Sequence, residues 1–403
     1  MVRNEESLSS PDIISSLTDS AAVDRTGSNA HASTSLLCEA LDALLQPDSK
    51  FFPWRWGSKI HYRQLGNGGQ KILLVHGFGV GAHQYSSLLP LLSDTHQVWA
   101  LDLLGQGLSW PHREALEDEE LRLSIDTWTD LLADFVTEVI QEPCYVVGNS
   151  LGGYLAAQLA ATRQHLCRGV VYLNATPFWA FMPRPDTQKL TGRLLRWLVP
   201  YDGVMPAPEG LKRVIRSLWW DRFTTEDTVS GILKQVYPLR TADEKLLTNI
   251  LAATQHELAV DAMVSIIFSP GTAQRFGELA ADAPCPSCLI YGQHDPWVRP
   301  VWGQRLKRFV PHATYFEIPA GHCPHDEAPA AVHWCLTEWI TSVEEGRPVS
   351  LKVGEEAVIK SEDGESTVIR HVSGEGQTVF ERFVEALHHF EVRQPSRQYP
   401  RTL

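Results

Sequence analysis

The chain has 403 residues, 43% of them hydrophobic and 21% charged, with a formal net charge of -13. That balance fits one large globular domain or two smaller ones and, with no basic run to offset the acids, argues against a nucleic-acid partner. No apolar run reaches the roughly 18 residues of a membrane span, and the seven cysteines are scattered, so reduced thiols are expected rather than a disulfide framework.

Residues 1–50 are rich in Ser, Thr, Asp and Ala and read as a disordered extension, with a short helix over 36–45. An organelle transit peptide would share the serines but be rich in arginine and poor in acids. Glu5, Glu6, Asp12, Asp19 and Asp24 break that pattern, so targeting stays open. Ordered structure is expected from Trp54. Residues 59–64 alternate as a strand, and Gly66-Asn67-Gly68-Gly69 is a turn. Residues 72–75 form a short apolar run, read as a central strand, and His76-Gly77-Phe78-Gly79 follows at once. A loop of this kind supplies a backbone amide to an oxyanion hole, already aimed where negative charge develops. Phe78 and Leu151 are the expected donors, with His76, Gly77 and Gly79 beside the substrate.

Residues 98–101 are the next strand, and 102–107 turn out of it toward the same end of the sheet. The acidic stretch 114–120 reads as a solvated excursion. Trp128, Leu131, Leu132, Phe135, Val136, Val139 and Ile140 then recur at helical spacing, a stripe that belongs to the core. A strand over 144–147 leads into Gly148-Asn149-Ser150-Leu151-Gly152 and then an Ala- and Leu-rich helix over 151–161. Strand and helix alternate, which makes a parallel sheet. A sharp strand-to-helix turn crowds the backbone, so small residues must flank the serine two positions to either side. The turn lifts the Ser150 hydroxyl above the sheet and aims the first amides of the helix at the same space.

After a strand over 170–174, which ends on Asn174 and not on an acid, the alternation stops until about Pro284. This stretch holds Trp179, Phe181, Trp197, Tyr201, Trp219, Trp220, Phe223 and Tyr237 between prolines, as a helical lid with an apolar inner face would. Singly, each aromatic reads as lid core. Phe178, Trp179, Asn149 and Trp297 are candidates for substrate contact. Alternation resumes with a strand over 287–291, a helix over 301–309, a strand over 314–318 and an amphipathic helix over 329–342. Cys285-Pro-Ser-Cys288 has redox-type spacing but leads into a strand instead of opening a helix. Beyond Arg347 the composition turns acidic and polar, with a hairpin around Asp363-Gly364 and a terminal helix over 379–390.

Ser150, Asp295 and His322 occur in the order nucleophile, acid, histidine, each after an expected strand. A serine hydroxyl needs a base within hydrogen-bond reach, and that base needs a partner to fix its tautomer. His325 is the rival base, three residues past His322 and farther from the glycine turn at Gly321. A metal reading of His322, Cys323, His325 and Asp326 lacks a matching ligand set elsewhere.

Together these features resemble the α/β-hydrolase fold, a mostly parallel sheet with helices on both faces. The expected division is a core of residues 51–178 and 285–345, a lid of 179–284, and an acidic extension of 346–403 with no assigned role. Four stretches go further: Gly148-Asn-Ser-Leu-Gly-Gly153, Leu233-Lys-Gln-Val-Tyr237, Tyr291-Gly-Gln-His-Asp-Pro-Trp-Val-Arg-Pro300 and Ala320-Gly-His-Cys-Pro-His-Asp-Glu-Ala-Pro329. Their wording resembles the pheophytinase family of plants and algae, over roughly residues 54–340. The resemblance implies hydrolysis of the phytyl ester of magnesium-free chlorophyll, a chloroplast location and no cofactor. The implied partner is a small-molecule tetrapyrrole ester, with peripheral contact at the thylakoid membrane and oligomeric state left open. Two alternatives keep the same scaffold. One is a chlorophyll dephytylase or another carboxylesterase or carbon–carbon bond hydrolase; the other is a ligand receptor with slow turnover.

Overall fold

The computed structural model describes residues 45–176, 201–269, 275–361 and 363–374. The expected helices over 36–45 and 379–390 lie outside the described residues, apart from Leu45. The main sheet is built from β1 (Ser49–Pro53), β2 (Lys59–Leu65), β3 (Lys71–Val75) and β4 (Gln97–Leu101). A two-residue β5 (Leu121–Arg122) lies outside it. β6 (Cys144–Asn149) and β7 (Cys167–Leu173) follow, and β8 (Val204–Met205) pairs only with β5. β9 (Ser287–Gly292), β10 (Thr314–Ile318), β11 (Glu356–Lys360) and β12 (Ser366–His371) complete the sheet.

The ten strands run in the order β1-β2-β4-β3-β6-β7-β9-β10-β12-β11. The six central strands, β4 to β10, are parallel; the outer pair at each edge is antiparallel. Central strands carry continuous apolar runs because both faces are covered by helices. Side chains alternate between the two layers: Leu73, Val75, Val146, Val170 and Tyr172 enter one core, and Ile72, Leu74, Val147, Val171 and Leu173 the other.

Three expected boundaries are corrected. Ordered structure begins earlier than Trp54, since β1 pairs with β2 from Ser49 onward. The helix Phe276–Asp282 is not part of the helical insertion. Phe276 stacks on Tyr154 and meets Tyr172 edge-on inside the main core. A periodic apolar face does not announce which layer will cover it, so composition alone places this helix in the insertion. The hairpin of residues 356–371, expected as part of a separate extension, belongs to the sheet. β12 pairs with β10, and buried Ile369 joins the main core. The expected hairpin is real and extends the sheet.

Candidate active site

The serine turn forms because its neighbours have no side chain. A Cβ on Gly148 would lie 2.1 Å from the Gly152 carbonyl oxygen, and one on Gly152 2.1 Å from that of Val75. Ser150 sits at φ +52, where an L-residue is strained by about 1–3 kcal/mol. The turn persists because the Ser150 amide donates to the Leu173 carbonyl at 3.0 Å, and the helix Leu151–Thr162 starts immediately after it.

The glycine loop after β3 lies against this turn: a Cβ on Gly77 would be 3.2 Å from the Ser150 Cβ. The loop is held by side chains that no sequence motif singles out. Gln106 Oε1 accepts the Gly79 amide at 2.6 Å, and Asp102 Oδ1 accepts the Ala82 amide at 2.5 Å. Asp102 Oδ2 also takes the Leu108 amide at 2.7 Å and faces His61 Nδ1 at 3.0 Å. Burial alone would raise the Asp102 pKa, but His61 and these donors hold it well below the usual carboxylate range. His76 is corrected from a substrate contact to part of this bracing. It is fully buried, its Nε2 accepts the Leu103 amide at 2.9 Å, and its Nδ1 lies 2.6 Å from the Gly77 carbonyl oxygen. Burial lowers its pKa, so it stays neutral.

His322 and Asp295 meet as expected, with His322 Nδ1 2.7 Å from Asp295 Oδ2. Asp295 Oδ1 accepts the amides of Trp297 at 2.7 Å and Val298 at 2.9 Å. Asn174, which follows β7, donates to Asp295 Oδ2 at 2.7 Å. Burial works against the charge of Asp295, yet His322 and the amide donors bring its pKa below the ordinary value. Asn149 Nδ2 donates to the carbonyls of Leu173 (3.1 Å) and His322 (3.0 Å), so its amide braces the histidine while its residue lines the cavity.

The rival base, His325, sits in different surroundings. His325 is fully buried, lies against Tyr85 with 4.5 Å between ring centroids, and neither ring nitrogen has a partner among the described residues. Burial, with His322 and Arg240 nearby, lowers its pKa to about 3. The residues of the metal reading have other surroundings. Asp326 is occupied by Ser87 at 3.0 Å, Tyr237 at 2.8 Å and Arg240 at 2.8 Å. Among the described residues, no three His, Cys, Asp or Glu side chains converge as a metal site would require. Cys285 and Cys288 are both free thiols.

Ser150, His322, Gly77, Phe78, Gly79, Asn149, Leu151 and Trp297 line one cavity of about 810 Å³. Much of its remaining wall comes from the helices Glu226–Val236, Glu244–Thr254 and Ala259–Phe268 and from Trp219, Trp220 and Phe223, with Gly105, Gln106, Gly107 and Trp110 from the core. Phe178 and Trp179 lie outside the described residues. The cavity is mostly apolar, with Asn149, Ser150 and His322 among its few polar side chains. A cavity of that kind has room for a large apolar molecule beside the Ser150 hydroxyl. No single helix among the described residues is long and apolar enough to cross a membrane.

The sequence profile of the alpha/beta hydrolase family matches residues 72–333. The chain is 39% identical over 325 residues to "Pheophytinase, chloroplastic" of Arabidopsis thaliana, covering 73% of this chain and 66% of that protein. Thus it spans slightly under two thirds of that relative's length. It is 23% identical over 263 residues to a 2-hydroxy-6-oxononadienedioate/2-hydroxy-6-oxononatrienedioate hydrolase of Pseudomonas putida, covering 64% and 82%. Among solved structures, a thermophilic esterase from Thermogutta terrifontis superposes with a TM-score of 0.52 at 20% identity, over 73% of this chain and 98% of the esterase. At that identity the likeness speaks for the fold alone.

Proposed function

The chain belongs to the alpha/beta hydrolase family, and on that premise we propose that it is a serine carboxylesterase cleaving the phytyl ester of pheophytin to pheophorbide and phytol. The observation that carries the chemistry is the convergence of Ser150, the His322–Asp295 pair and the glycine loop on one apolar cavity. The substrate rests on the similarity to the Arabidopsis pheophytinase, and a chloroplast location rests there too. A twenty-carbon tail and a flat macrocycle need a large apolar cleft, which the cavity between sheet and insertion supplies.

In this reading His322 takes the Ser150 proton as the oxygen attacks the ester carbonyl. The resulting oxyanion is met by the amides of Phe78 and Leu151. Collapse breaks the bond to phytol, whose oxygen takes the proton back from His322, leaving pheophorbide esterified to Ser150. Water, deprotonated by His322, attacks that ester and releases the free acid. Asp295 holds the imidazole tautomer and stabilises its charged form throughout. The test is Ser150→Ala, which removes one hydroxyl and leaves the turn in place. Pheophytin hydrolysis should fall on the order of a thousandfold, and retention of a sizeable fraction of turnover would sink the proposal. Carbon–carbon bond hydrolysis on the same scaffold is the second reading; release of phytol from pheophytin separates the two.

A further inference from the structure

Residues 209–223 form one continuous helical run beside the cavity mouth, through the segments Glu209–Ile215, Arg216–Trp220 and Asp221–Phe223. Its two sides differ. The inner side gives Trp219, Trp220 and Phe223 to the cavity wall, and Lys212 is buried against Asp261. The outer side exposes Val214 (49%), Leu218 (71%) and Phe223 (42%). Three of the eight exposed large hydrophobic residues among the described residues thus fall within ten positions. Phe223 both lines the cavity and is exposed, which puts this patch at the rim.

The charge along this run is basic in its middle and acidic at its flanks, where exposed Glu209 precedes it and exposed Glu226 and Asp227 follow it. The chain carries -13 overall, yet residues 213–223 expose Arg213, Arg216 and Arg222 beside a single acid, Asp221. None of the three arginines forms an ion pair among the described residues. Glu209 acts on Arg216 only through its field, because its carboxylate is bonded to Lys212 at 2.6 Å. Leucine, valine and phenylalanine beside such arginines, on a helix with a buried inner face, are the composition of an element lying in a lipid interface. A folded protein partner would be expected to supply carboxylates to pair the arginines. An anionic bilayer supplies negative headgroups over an apolar layer, matching both components at once.

We infer that the outer face of residues 213–223 docks the protein on an anionic lipid surface, so that a bilayer-dissolved ester enters the cavity past Phe223. This rests on the proposed hydrolase reading, whose long-tailed substrate would reside in such a bilayer. Each arginine near an anionic surface strengthens binding by a factor of about five, and an exposed leucine adds a contribution that salt does not screen.

The test uses the full chain and vesicles of phosphatidylcholine with or without roughly one-third phosphatidylglycerol. Flotation should show binding to the anionic vesicles, weaker binding to the neutral ones, and release with rising salt. The double variant Arg213→Glu/Arg216→Glu should bind at least about 25-fold more weakly, and Leu218→Ser should weaken binding even at high salt. Both variants should hydrolyse a water-soluble short-chain ester at the wild-type rate, which also reports that they fold. Hydrolysis of vesicle-borne pheophytin should fall with binding. No flotation of the wild type, or equal flotation of wild type and both variants, overturns the assignment. A wild type that floats as expected but hydrolyses no ester would sink the hydrolase reading and leave the surface standing.

Discussion

Asn174 donates its side-chain amide to Asp295 Oδ2 at 2.7 Å, the same carboxylate oxygen that faces His322 Nδ1. Its side-chain carbonyl oxygen accepts the Gly292 amide at 2.9 Å, so the asparagine bridges the ends of β7 and β9 beneath the acid. Asn174 adopts φ +41, a conformation asparagine tolerates better than most residues. Asn174→Ala should therefore reduce kcat about tenfold with little change in KM, because it loosens the orienter and not the pocket. It should also raise the Asp295 pKa, since one donor to the charged form is lost. A pH–rate profile whose acid limb does not move would contradict this role.

What can be read in the sequence follows from chain-local rules. The glycine pattern around Ser150 and the apolar runs of the central strands are demanded by sterics and burial close to the residues themselves. Asn174 is visible as a position without an acid, but its bond to Asp295 joins residues 121 apart and no local pattern encodes it. His76 is misread for the same reason: a histidine beside a glycine loop looks like a site residue until its partner, the Leu103 amide, is seen. The edge hairpin is legible from its alternation, but not the strand it joins.

The insertion and the histidine loop are clamped together. Tyr237 and Arg240 bond Asp326, the Leu239 amide donates to Glu327 at 2.7 Å, and the His322 amide donates to the Val236 carbonyl at 3.0 Å. Two of the stretches that carry the family resemblance thus meet each other in space. Asp326→Ala strips the buried Tyr237 hydroxyl of its carboxylate partner, which costs about 1–3 kcal/mol. It should lower Tm and, by loosening the backbone that carries His322, reduce kcat severalfold on short and long esters alike. Unchanged thermal unfolding in this variant would show that the clamp is not holding the two segments.

His325 is fully buried and His83 and His256 are half-buried, and lost hydration keeps all three neutral, lowering their pKa values from the ordinary 6.5 to about 3, about 4 and about 3. Between those limits the unfolded chain binds protons that the folded chain does not. Stability therefore falls as pH drops from about 6.5 toward 4. At pH 5 each such histidine costs about 2 kcal/mol. His325→Leu removes one of the three together with two orphaned ring nitrogens. It should keep most of the activity and show a smaller drop in Tm between pH 7.5 and pH 5 than the wild type. His322→Ala should abolish most turnover. If His325→Leu proves the more damaging to catalysis at equal folded content, the base has been assigned to the wrong histidine.

Pheophytin should be hydrolysed in preference to chlorophyll. The ester and the tail are the same in both pigments, so the triad cannot discriminate and only contacts with the ring can. Central magnesium is a Lewis acid that holds an axial water or another ligand. Seating that ring against apolar walls requires stripping the ligand or burying it unpaired, a cost of roughly 1–3 kcal/mol, or about 5- to 150-fold. A side chain that replaced the axial water would erase the penalty, and on the insertion the imidazole available for this is His256. Its ring instead lies flat on Trp110, 4.0 Å between centroids, and its Nδ1 accepts the Leu258 amide at 3.1 Å. Among the described residues lining the cavity, the imidazole present is His322, already engaged by Asp295. The metal-free ring meets no such cost. The ratio of kcat/KM for the two pigments in one detergent measures the preference directly. A ratio near one, or one favouring chlorophyll, would move the chain toward the dephytylase reading.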